Sequence, residues 1–175
     1  TLQRTVAFIL TAACEQLLPG ATLRMEFSYG RGVFCRLLGL DSPLTEEQIR
    51  AIEARMRELV AADLPITPHV YGLRELIRAA RQRGMDPETH LAQYLRRDSL
   101  KLYRLRGTEH LFYGRQLPST GYVRAFRLVP LAPGFLLQVG PPGAPEKLLP
   151  PTSQPKFFAT MLRYADWLVD LDLQD

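Results

Sequence analysis

At 175 residues, with 46% hydrophobic and 23% charged side chains, the chain has the balance of a globular domain long enough to bury one core. Its longest uncharged apolar run is far short of the roughly 20 residues that a membrane helix needs, and no basic-then-apolar leader opens it, so the expectation is a cytoplasmic protein without membrane contact. A net charge of +4 permits contact with nucleic acid without demanding it. The chain opens on Thr1 rather than Met, which suggests a piece of something longer.

Residues 2–18 carry Val6, Ile9, Leu10, Ala13 and Leu17 at helical spacing and stop at Pro19-Gly20, a helix with its terminator. In LRMEFSY, residues 23–29, Leu23, Met25, Phe27 and Tyr29 alternate with polar residues, the period of a strand with one wet face. Gly30-Arg31-Gly32 then supplies a turn, and VFCRLL returns as the partner of a hairpin. Thr45 followed by Gln48 reads as a capping box, and Ile49, Ile52, Met56, Leu59 and Val60 mark one face of a second helix running to about Ala62.

LPITPHVYG, with two prolines, reads as an extended connector into a short helix over 72–83, and Asp86-Pro87 opens another to about Leu95. Four strand-like runs follow, SLKLYRL, HLFY, YVRAFRLVPL and GFLLQV. The gaps between them are too short for helical crossovers, so antiparallel pairing is expected. A proline-rich wrap over 141–155 leads into a closing helix over 156–171 with Phe158, Leu162, Ala165 and Val169 on one face. Helices grouped with an antiparallel sheet make an α+β fold, and the whole of 1–175 reads as a single module.

Motifs for familiar chemistry are missing. A P-loop needs GxxxxGK[ST], and none of Lys101, Lys147 and Lys156 stands in one. Gly30-Arg31-Gly32 lies in a hairpin rather than before a helix, which removes the dinucleotide reading. His69, His90 and His110 are scattered singly, and Cys14 and Cys35 lack a CxxC spacing, so buried reduced thiols and no metal are expected. Two binding patterns remain. Arg96, Arg97, Lys101 and Arg104 interleave with aromatics such as Tyr103, a combination suited to RNA or equally to the wet face of a sheet. The loop FYGRQLPSTGY, residues 112–122, places Gly, Ser and Thr between strands, where either a turn or a site fits.

Several local stretches, QLLPG after the first helix, GVFCRL after the hairpin turn, LTEEQIRAIEARMREL and YGRQLPSTGY, together resemble the editing domain, or second additional domain, of threonyl-tRNA synthetase. That likeness spans roughly residues 3–140. With APGFLL and QPKFF added, the chain is similar to the region in front of the P-loop domain of bacterial uridine-kinase-like nucleoside kinases. The editing family carries HxxxH on its first helix and CxxxH in its late loop. Those positions fall here on Arg4, Phe8, Phe112 and Gln116. Neither phenylalanine can ligate a metal or move a proton and arginine stays protonated, so the resemblance implies a degenerate, non-catalytic site with no cofactor in this segment. An emptied cleft rimmed by Arg4, Gln116, Ser119, Thr120 and Tyr122 could hold a small ligand. For the parent protein the resemblance implies a kinase domain after residue 175 that uses ATP and Mg²⁺, with this module as its partner. The alternative is a free-standing or synthetase-derived RNA-binding module.

Overall fold

The computed structural model describes residues 1–82, 99–112 and 114–172. The helical piece expected up to Leu95 lies outside them, together with Arg96 and Arg97. Among the described residues no helix is long and apolar enough to cross a membrane.

The fold is α+β. Helix α1 spans Leu2–Leu17, the hairpin β1 and β2 spans Thr22–Tyr29 and Gly32–Leu38, and α2 spans Glu46–Ala61. Strand β3, Thr67–Gly72, leads into α3, Leu73–Gln82; β4 and β5 are Ser99–Leu105 and Thr108–Leu111. A single 3₁₀ turn, Thr120–Tyr122, precedes β6, Phe126–Leu131, and β7, Gly134–Val139; α4, Pro155–Asp172, closes the order. The antiparallel strands form two sheets rather than one, β1-β2-β7-β6 and β3-β4-β5.

Two expectations about strands need correction. The connector LPITPHVYG contains β3, which pairs with β4 from Thr67↔Arg104 to Gly72↔Ser99. Pro68 is tolerated because β3 is an edge strand, where a missing N–H breaks no second ladder. The run YVRAFRLVPL is strand only from Phe126, because Tyr122 belongs to the 3₁₀ turn.

The strict alternation expected in β1 also fails, and its failure organises the molecule. The register slips between Met25↔Cys35 and Phe27↔Phe34, so Glu26 is an extra, bulged residue. A bulge shifts the period-2 pattern and sends the side chains beyond it to the other face. Leu23 therefore packs with α1 and α2 in the larger core beside Cys35, Leu37 and Leu137. Phe27 and Tyr29 turn to the opposite face with Phe34 and Leu136, where α4 lies. The four-stranded sheet is thus covered on both sides.

On the α4 side the contact is aromatic. Phe158 sits 5.8, 5.2 and 5.0 Å from the ring centres of Phe27, Tyr29 and Phe34. The bulged Glu26, its side chain 4% exposed, accepts from Arg36 Nε at 2.6 Å, and Arg36 Nη1 reaches Asp166 of α4 at 2.5 Å. The ions pin the helix by one edge, while the rings supply the apolar area that offsets their desolvation.

On the other side α2 begins as expected. Thr45 accepts from the Gln48 amide at 3.2 Å and the Thr45 amide donates to Gln48 Oε1 at 2.9 Å, a complete capping box. Glu53 Oε2 accepts from the Leu128 amide at 2.8 Å and so ties α2 to β6. Cys14 and Cys35 are free, buried thiols. Burial above all pushes each of them up to about 12, with smaller contributions from neighbouring negative charge.

Two outcomes follow from this packing. Phe158→Ala should lower unfolding free energy in urea by about 2 kcal/mol, below the range for a fully buried aromatic because Phe158 is only partly buried. The thiols make stability fall in alkali. Above pH 9.0, their ordinary value, the unfolded thiols ionise while the native ones stay neutral until about 12, so each costs about 1.4 kcal/mol per pH unit across that window. Cys14→Ala should flatten the alkaline limb of the stability curve, whatever its offset at pH 7.

Candidate functional site

The late loop that follows β5 is held against α1 by Thr5. This residue is fully buried; its hydroxyl donates to Gln116 Oε1 at 2.8 Å and accepts from the Leu117 amide at 2.9 Å. The four positions carried over from the editing family therefore meet. The Phe8 and Phe112 rings lie 4.9 Å apart, and Arg4 runs along Gly114. A Cβ at Gly114 would come within 2.7 Å of the Arg4 guanidinium, and its φ of +92° favours glycine as well.

The chemistry at this convergence is apolar where the family's is ligating. Phe8 is fully buried, and Phe8 and Phe112 both pack into the larger core. Gln116 Nε2 is buried without a hydrogen-bond partner, while its Oε1 is fixed by Thr5. Beside the ring pair stands a titratable group that sequence reasoning set aside, His110. Its ring centre is 6.3 Å from Phe8 and 6.4 Å from Phe112, and its Nε2 pairs with Glu15 Oε1 at 2.5 Å. That pairing could have been anticipated only with the register between α1 and β5 in hand. Among the described residues no group of three or more His, Cys, Asp and Glu is placed to hold a metal ion.

The expected rim of the cleft divides in two. Arg4 and Gln116 stand on the α1 side, as described. Ser119 and Thr120 face instead the chain that leaves α2. Thr120, fully buried, donates to the Leu59 carbonyl at 2.6 Å and accepts from the Leu64 amide at 2.9 Å. Ser119 Oγ donates to Asp63 Oδ1, which also accepts from the Gly121 amide at 3.0 Å. Asp63 holds a positive φ of 47°, which aspartate tolerates better than most residues, and a Cβ at Gly121 would collide with its carboxylate. These hydroxyls brace a turn. Tyr122 is 58% exposed and stands apart from Gln116 and Arg4 in this bonding pattern.

The basic and aromatic stripe is also broken up. Tyr103 is buried in the core and its hydroxyl donates to the Gly114 carbonyl at 3.0 Å, so its ring offers no face for stacking on a base. Arg104 is engaged by Glu109 and by the Tyr71 hydroxyl, each at 2.9 Å. Lys101 lies over the Tyr103 ring, 5.4 Å from its centre. Arg96 and Arg97 lie outside the described residues.

A cavity of about 590 Å³ lies elsewhere, between the start of α1, the β1–β2 turn, the end of β7 and the proline-rich wrap; Gln3, Gly32, Gln138 and Leu149 contribute to its wall. None of the residues expected at a site lines it.

No family model matches the chain. Curated relatives do. It is 26% identical over 134 residues to the threonine--tRNA ligase of Desulfovibrio desulfuricans, covering 77% of this chain and 21% of the ligase. With the threonine--tRNA ligase of Maricaulis maris it shares 30% over 136 residues, 77% of this chain and 21% of the ligase. With that of Symbiobacterium thermophilum it shares 31% over 134 residues, 76% and 20%. The chain thus spans about a fifth of the length of the curated relatives it matches. This homology and the α+β architecture together support an editing-domain-like fold.

Thr120→Val keeps the volume but strips both hydrogen bonds, leaving the Leu59 carbonyl and Leu64 amide unpaired; it should cost about 2–4 kcal/mol in chemical unfolding. Ser119→Ala, at a half-buried position, should cost under half of that. A larger loss for Ser119 than for Thr120 would contradict the bracing role.

Proposed function

We propose that the chain is a non-catalytic module derived from a tRNA-editing domain. The observation that carries this is the Phe8–Phe112 contact. Where the family's resemblance calls for a histidine and a cysteine that meet across the cleft, two rings meet instead. An aromatic pair at this separation contributes burial and quadrupole attraction, but no lone pair for a metal and no exchangeable proton. Arg4, at the other helix position, offers a permanent cation suited to a carboxylate or phosphate rather than a base. The homology to threonine--tRNA ligases supports the descent.

In the longer protein this module precedes a P-loop nucleoside kinase domain beyond residue 175, which transfers a phosphoryl group from ATP with Mg²⁺ to a nucleoside such as uridine. That finer reading rests on the likeness of PSTGY, APGFLL and QPKFF to the kinases' leading region. The module's part is regulatory, holding a small anionic ligand or RNA near Arg4 and Gln116.

Incubation of the chain with seryl-tRNA for threonine should release serine no faster than buffer does. Deacylation that is lost in His110→Gln would overturn the non-catalytic reading, because His110 and Glu15 form a proton-handling pair near the rings. For the kinase half, the natural full-length protein should phosphorylate uridine with ATP and Mg²⁺, and its failure to do so with any nucleoside would remove that context.

A further inference from the structure

Helix α4 is apolar on two opposite faces. Phe158, Leu162 and Ala165 turn inward to the sheet. On the outer side Phe157 is 45% exposed, Tyr164 54%, Trp167 55% and Leu171 41%. At about 100° per residue, Phe157, Tyr164 and Leu171 fall on one line seven residues apart, with Thr160 and Trp167 beside it. This is a heptad seam of the a and d kind, extending over a helix about 27 Å long. Phe157 rests partly on Tyr29, with ring centres 6.4 Å apart, and the Tyr164 and Trp167 rings are 5.9 Å apart, so the stripe is already ordered for contact. Apolar side chains gathered on one face of a helix are ordinarily covered, and here only the inner face is.

The charges flanking this seam identify what covers it. Lys156, Arg163 and Asp170 recur every seven residues along one edge of the stripe, the g position of the heptad. No ion pair joins Lys156 or Asp170 to another side chain among the described residues. Their placement is wrong for the helix alone: α4 has no acidic residue in its first turn and no basic one in its last. Its lysine lies near the positive end of its own dipole and its aspartate near the negative end. In an antiparallel pair both placements become favourable, because g positions face g positions and each terminus lies beside the opposite terminus of its partner.

We infer that α4 is the docking surface for a second copy of this chain, packed antiparallel about a two-fold axis near Tyr164. Tyr164 then meets its own copy, Phe157 meets Leu171, and Lys156 meets Asp170 twice, the self-complementarity a two-fold interface requires. Arg163 faces its own copy near the axis, the one unfavourable pair. The inference does not depend on the functional reading above, since no residue of the cleft takes part.

Sedimentation equilibrium on the whole 175-residue chain tests it. At about 100 μM, a concentration chosen for a short interface at the small end of the specific range, the mass should approach twice the 19.9 kDa of one chain. Trp167→Glu should return it to one chain. Lys156→Asp and Asp170→Lys singly should each weaken association about tenfold or more, and the two together should restore it to within about threefold, since the pair is reversed rather than removed. All three positions lie away from the face that packs on the sheet, so far-UV circular dichroism and the thermal midpoint should stay near those of the parent. A monomeric parent chain, a dimer indifferent to Trp167→Glu, or a double swap that fails to restore association would each overturn the inference.

Discussion

One extra residue in a strand makes the rest of this structure possible. A four-stranded antiparallel sheet with strict alternation would present a single apolar face, enough for α1 and α2 and nothing more. The bulge at Glu26 moves Phe27 and Tyr29 to the other side, where Phe34 and Leu136 already project. The second face thereby becomes aromatic and α4 gains a surface. The bulged side chain is itself used, since Glu26 is aligned with Arg36 and through it with Asp166 of the helix. A buried ion cluster of this kind adds little net stability, yet it fixes direction, because losing one partner leaves the others uncompensated. Arg36 Nη2, buried without a hydrogen bond, shows that even here compensation is incomplete.

The late loop obeys a second constraint, that buried backbone polar groups must find partners. Residues 114–122 carry little regular structure, and their polar groups are satisfied by two threonines from opposite directions. Thr5 reaches out of α1 to Gln116 and Leu117, and Thr120 reaches into the chain after α2. The loop is stitched at both ends, which explains how a segment rich in Gly, Pro and hydroxyl residues stays compact between two sheets. It also explains why hydroxyls that look functional in the sequence are structural: Thr120 is fully buried and its hydroxyl already donates to Leu59 and accepts from Leu64, so it is not presented to a ligand.

Periodicity and capping were the legible parts of the chain. The apolar rows of α1 and α2, the Thr45–Gln48 box and the α+β grouping could all be read from local spacing, because each depends on residues within a few positions of one another. What could not be read depends on distant partners or on a broken period. A bulge is invisible to an alternation count, which assigned Met25 and Phe27 to one face although the register separates them. Proline argued against β3, although an edge strand admits it. Tyr103 looked available for stacking because its neighbours are charged, whereas its hydroxyl is committed to Gly114 and its ring to the core. In the candidate site, the motif positions Arg4, Phe8, Phe112 and Gln116 were legible as a set, but Thr5 and His110, which determine what surrounds them, were not.

That division also separates the residues that hold the frame from those that only fill it. The bonds that hold the frame come from Thr5, Asp63 and Thr120, none of them at positions 4, 8, 112 or 116. Side chains at positions 8 and 112 are therefore free to change so long as they fill the space between α1 and the loop. Two phenylalanines do this with apolar area and a ring contact, and leave no polar group there to desolvate. Position 116 is less free, because Gln116 accepts from Thr5, and its buried Nε2 has no hydrogen-bond partner among the described residues. That amide nitrogen and the Arg4 guanidinium are both donors, so the polar chemistry left beside the ring pair suits acceptor-rich groups such as a carboxylate or phosphate.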